Sequence, residues 1–248
     1  AEEIVIGKIR MNEQGVFDEL SAAVTWHPFD RNRVSYDIWQ AQDIKNYKFY
    51  GIAAHAARFP EKGRSALDAA ELMNVGVNYL REHVADDVRM HYTYTNTDGP
   101  ANIVPPFAST NYFIRSCLWK KTKDASERVD NCAKGAAMCT GTTVEINQKD
   151  EITKDVRNDK KLVSYFRNNM EFIGEPYIER DLSQGIGSTD VGNVTHEIPA
   201  IQAYIGLKEG VATHTKEFAV AAGGEEGKRA LTTAVQLLAM SGLDVLCE

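Results

Sequence analysis

The chain predicts an α/β fold: one α/β domain interrupted by a ferredoxin-like insertion. Three observations carry this. Between about Tyr47 and Ile146 the apolar periodicity reads β-α-β-β-α-β, the split βαβ order, over about 100 residues, enough for a domain of its own. The stretches on either side are each too short to bury a separate core, so they read as two parts of one domain. No internal repeat or low-complexity tract suggests another organisation. The predicted division is therefore 1–44 and 151–248 for the interrupted domain and 45–150 for the insertion.

The elements follow in order. Gly7 to Gly15 suits a short helix, and Ala22–Trp26 a buried strand that runs out at His27-Pro28. Tyr47–Ala54 reads as a strand. Ser65 caps a helix through His83, with Leu67, Ala70, Leu72, Val75 and Leu80 among its apolar residues. Val88–Thr95 alternates as a strand, Asp98-Gly99-Pro100 turns the chain, and Ser109–Leu118 is the next strand. A helix over Asp124–Met138 and a strand over Thr142–Ile146 complete the insertion. Its two helices cover one face of the sheet and leave the other face, or an edge, for a partner. Then come a charged helix (Lys154–Met170), a glycine-rich loop GIGSTDVGN (185–193), a strand (Ile201–Ile205), the stretch ATHTKEF, and an amphipathic helix from Gly227 to Met240.

Composition removes several classes of function. Lys+Arg 28 against Asp+Glu 35 leaves a net charge of -7 with no basic stripe, which argues against nucleic acid. No apolar run approaches the roughly 20 residues of a membrane span. Cys117, Cys132, Cys139 and Cys247 form no C-x-x-C pair and read as reduced thiols in a cytoplasmic protein. The opening AEEIVIGK has no methionine and no targeting signal, so the chain is either trimmed or part of a longer sequence.

Few residues point to chemistry on their own. Glu2 and Glu3 are adjacent carboxylates; with His27 and His214 they form a plausible borderline-soft metal set, although a Glu-Glu pair is equally at home as solvated charge. The glycine loop follows no apolar strand and opens no clear helix, which argues against a dinucleotide fingerprint. It fits a loop passing an active site with Asp190 as a supporting carboxylate, or a plain surface turn. Asn102 and Arg115 flank IVPPFAST and fit either a carboxylate clamp or an edge-strand charge. His55 lies among Ala53, Ala54, Ala56 and Ala57, small neighbours that suit an ordinary strand end or close approach by a ligand.

Read together and in order, these stretches resemble a known family. AEE, WHP (26–28), GIAAHAARFPEKGRSALDA (51–69), ANIVPPFA (101–108), GSTDVGN and ATHT are similar to the C-terminal part of metal-dependent amidohydrolases and metallopeptidases of the aminoacylase and carboxypeptidase G family. Within that family, GRSALDAAELMNVGVNYLREHV is most similar to the p-aminobenzoyl-glutamate hydrolase branch. The resemblance implies a partial zinc-peptidase-like catalytic domain with an inserted lid that forms a homodimer. It implies two divalent ions, zinc or manganese, per complete site, and a small amide substrate with a free carboxylate. Under it Glu2 is the general base, and Glu3, His27 and His214 are metal ligands. Asn102 and Arg115 bind the substrate carboxylate, Asp190 supports the substrate site, and His55 stabilises the oxyanion, reaching the partner's site. The family's N-terminal ligands have no counterpart here, so the chain alone is expected to be inactive. A non-catalytic protein that interacts through its lid is the alternative. Pro106 and Thr195-His196-Glu197 depart from the family pattern and bear on substrate identity.

Overall fold

The computed structural model describes residues 7–36, 39–97, 99–148, 151–179 and 187–247. They form two compact units, one from residues up to 39 together with those from 155 onward, the other Gln40–Lys154.

The second unit is a four-stranded antiparallel sheet, β2 (Ala41–Tyr50), β3 (Arg89–Asn96), β4 (Phe107–Ser116) and β5 (Thr143–Gln148), in the order β3-β4-β2-β5. Helices α2 (Ala66–Leu80) and α3 (Trp119–Thr140) cover one face. Tyr47, Phe49, Tyr112 and Ile114 alternate onto that face against Met73, Val77, Val129 and Ala133. Ser65 caps α2 by accepting from the Asp68 amide, and Gly141, left-handed at φ 67°, ends α3. β2 starts six residues earlier than its sequence suggests, because Gln42, Asp43 and Lys45 are buried in it. Lys45 and Tyr47 both bond Asp130, and Ser126 donates to Asp43. These polar groups at core positions hide the alternation. Burial raises the Asp43 carboxyl above its ordinary pKa.

The first unit contains the parallel pair β1 (Ala23–Phe29) and β6 (Ala200–Gly206). Its helices are α1 (Gly7–Glu13), α4 (Lys160–Phe172), α5 (Val191–Thr195), α6 (Lys216–Gly223) and α7 (Glu225–Leu246). Ile201, Ala203 and Ile205 face a core built with Leu162, Phe166, Ala234 and Leu237. Gln202 and Tyr204 therefore point to the other face, and the register places Thr25, His27 and Phe29 beside them. On the far side of β6, Arg33 makes an antiparallel bridge to Tyr204. Helix α4 begins at Asp159, whose carboxylate caps it, and not at Lys154; α6 lies where the sequence offered only ATHTKEF. No described helix is long and apolar enough to cross a membrane.

Candidate functional site

Two histidines carry opposite hydrogen-bond settings, and the settings suit opposite tasks. His27, exposed near the carboxyl end of β1, places Nδ1 2.7 Å from the Pro28 carbonyl. A carbonyl can only accept, so Nδ1 holds the proton and Nε2 offers its lone pair, as a metal ligand must. His55, exposed in the second unit, accepts at Nδ1 from the Ala57 amide, 3.3 Å away. Its proton therefore sits on Nε2, as an oxyanion donor requires.

His55 is held on a clamped arm. Ile52 and Arg64 exchange both backbone hydrogen bonds, Val104 donates to Ala54, and Ala56 donates to the Asn102 carbonyl. Gly51 is obligatory at the neck, since a Cβ there would lie 1.9 Å from the Arg64 carbonyl oxygen. The fold thus brings His55 and Asn102 side by side.

It does not bring Arg115 to them. Arg115 pairs with Gln42 at one end of β2, whereas Phe107 pairs with Tyr50 at the other, and Asn102 lies beyond Phe107. Eight residues of strand separate Arg115 from Phe107, about 27 Å. Within one copy Asn102 and Arg115 are not a two-residue clamp. Arg115 points to the helix-free face, its guanidinium 5.6 Å from the Phe113 ring centroid and its buried Nε without a hydrogen bond. Burial holds its pKa below the ordinary arginine value.

Asp190 is held by Lys8. It is 3% exposed, Oδ2 accepts from the Lys8 amide at 2.8 Å, and Oδ1 lies 2.9 Å from Lys8 Nζ. Its carboxylate fixes the start of α1. Glu2 and Glu3 lie outside the described residues.

His214 sits at φ 64° between Thr213 and Thr215. Thr215 donates to the Ala212 carbonyl and caps α6 through the Phe218 amide, which pins the turn. A left-handed non-glycine residue is strained, and such strain gathers at functional positions. His214→Gly is expected to be more stable than His214→Ala by about 1 kcal/mol, while both bind metal equally poorly. Chemical denaturation and metal titration of the two variants check this. Among the described residues no three His, Cys, Asp or Glu side chains form a metal-holding group. The Nδ1 hydrogen bond of His27 leaves its Nε2 lone pair in the setting that a ligand to such an ion requires.

The sequence reading missed Lys8 and a cluster around Arg33. Arg33 lies over Phe29, Trp39 and Tyr204, with its guanidinium 5.0, 5.9 and 5.1 Å from the ring centroids. Trp39 stacks on Tyr204, and His27 lies 5.9 Å from the Tyr204 ring. The available signal was IQAYIG, a fully buried strand whose only polar side chains, Gln202 and Tyr204, share one face.

No family model matches the chain. Mouse Xaa-Arg dipeptidase is 32% identical over 248 residues, 99% of this chain and 57% of the relative. A subunit of the p-aminobenzoyl-glutamate hydrolase of Escherichia coli (strain K12) is 40% identical over 163 residues, 65% of this chain and 32% of the relative. The chain is thus similar, over nearly its whole length, to amide-bond hydrolases and peptidases. It spans 57% of the length of the dipeptidase it matches. A Bacillus subtilis dinuclear metal-binding peptidase of the M20 family shares the fold of this chain, with a TM-score of 0.68 and 21% identity over 99% of this chain and 63% of that one.

Proposed function

We propose that the protein hydrolyses the amide bond of an N-acyl or aryl-amide amino-acid conjugate, of the p-aminobenzoyl-glutamate kind, in a site completed by a second copy. The observation that carries this is the placement of His55 and Asn102 at one end of the sheet and Arg115 at the other. A symmetric dimer reconciles them. β3 is an edge strand, with Tyr92 and Tyr94 exposed on it. Helix α2 is tied to β3 through Asn74–Tyr94, and Arg81 just after it through the Met90 carbonyl; the helix leaves Leu72, Val75 and Tyr79 exposed. Antiparallel pairing of β3 with its own copy would set the Arg115 end of one sheet beside the His55 end of the other. Three strand spacings, about 14 Å, then separate the two sets sideways; pairing through β5 would leave five, about 24 Å.

In this reading Glu3, His27 and His214 hold metal, and Arg115 with the partner copy's Asn102 takes the substrate's terminal carboxylate. Two divalent ions, zinc or manganese, would supply Lewis acidity at the amide when bound. Glu2 takes the proton of the attacking water and delivers it to the departing amine, while Nε2–H of His55 meets the developing oxyanion. The four free cysteines suit a reducing compartment, the cytoplasm.

The full-length protein should hydrolyse p-aminobenzoyl-glutamate, lose activity to a chelator and regain it with zinc or manganese. Arg115→Lys should weaken this substrate about tenfold or more by losing the planar fork, yet change little on its carboxamide analogue. Equal losses on both would signal a folding defect. Failure to take up either metal would favour the non-catalytic alternative.

A further inference from the structure

The guanidinium of Arg33 is a buried cation whose anion is missing from the described residues. Arg33 is 9% exposed, its Nε is buried without an acceptor, and its contacts are the faces of Phe29, Trp39 and Tyr204. Aromatic faces offset part of the cost of removing a cation from water, but they accept none of its directed N–H bonds well. A cation left in this condition is a receptor for an anion that arrives from outside. Its position gives the anion a context. His27, Tyr204 and Arg33 lie in one row across the sheet with their side chains on the same face, at the carboxyl end of β1. In parallel α/β sheets that end is where ligands bind. Ser188 has a second buried polar atom without a partner, Oγ, and its neighbour Gly187 packs so closely on Trp39 that a Cβ would lie 3.1 Å from the ring.

We propose that Arg33 is the receptor for a second carboxylate of the substrate, the side-chain carboxylate of a glutamate or aspartate conjugate. This rests on the amide-hydrolase reading, in which Arg115 takes the terminal carboxylate. A planar guanidinium between rings offers a carboxylate a paired, charge-assisted hydrogen bond, and it repels a cationic side chain in the same place. Arg33 therefore selects acidic conjugates over neutral or basic ones.

The test compares N-acetylglutamate with N-acetylglutamine, near-isosteres that differ in this charge, by calorimetric binding to the full-length protein without metal. Hydrolysis of the same pair is measured separately in the metal-loaded protein. The wild type should bind the glutamate compound at least about tenfold more tightly. Arg33→Met should abolish that preference and leave the glutamine compound unaffected, and Arg33→Lys should reduce it. Equal or undetectable binding of both by the wild type overturns the proposal, with no variant needed. A preference kept in Arg33→Met, or undiminished in Arg33→Lys, with the variant shown folded by circular dichroism, also overturns it. Selective binding without hydrolysis supports the receptor and counts instead against the hydrolase.

Discussion

Co-expression of a His55→Ala chain with a Glu2→Ala chain is expected to return about a quarter of wild-type activity, although each variant alone falls about a hundredfold or more. The reason is the arrangement of the sheet. If each site takes its base from one copy and its oxyanion donor from the other, a mixed dimer holds one site with both lesions and one with neither. Random pairing makes about half of the dimers mixed, and half of their sites intact. The donor itself contributes about 2.7–4 kcal/mol to lowering the barrier, so the restored signal stands far above either parent. Arg115→Met with Asn102→Ala should complement in the same way. No recovery, with mixed dimers seen by native mass spectrometry, would confine His55 to its own copy.

Asp190→Ala is expected to lower metal affinity about 10- to 100-fold and to cost about 3 kcal/mol of stability. Breaking a fully buried ion pair costs about 3–5 kcal/mol, and the Lys8 side chain is 25% exposed, which places this pair at the lower end. The mechanism is indirect. Without the carboxylate, the Lys8 amide and ammonium lose their shared anchor, and the start of α1, which follows Glu2 and Glu3 in sequence, is released. Equilibrium dialysis with zinc, together with hydrogen exchange over residues 7–13, reads both effects. A rise in KM with unchanged metal affinity and exchange would return Asp190 to the substrate.

How much of this could be read from the sequence depended on whether local pattern or long-range register decided it. The helices of the insertion were legible because Ser65 caps one and the apolar spacing marks both. β2 was misplaced because Asp43 and Lys45 occupy core positions, where period-two reasoning expects apolar side chains. Glu-Glu, His27 and His214 gained meaning only from the order of motifs along the whole chain, since their spacings are too long for a local metal motif. The thirteen residues between Asn102 and Arg115 looked like proximity. A strand turns sequence spacing directly into distance, so the same interval places them at opposite ends of β4. Arg33 was invisible in RNRVSY because its significance lies in a bridge to Tyr204, far along the chain.

The arm that carries His55 is cross-tied at Ile52–Arg64, Ala54–Val104 and Ala56–Asn102, with Gly51 admitting the closest of these approaches. Its conformational entropy is therefore surrendered when the lone chain folds, and in the proposed dimer none of it would remain to be lost when two chains meet. Association then resembles the docking of rigid bodies more than the folding of a loop onto a surface. In the proposed dimer the imidazole would meet the second copy already aimed, so that dimer affinity and catalytic geometry would be set by separate parts of the same unit and could change independently of one another.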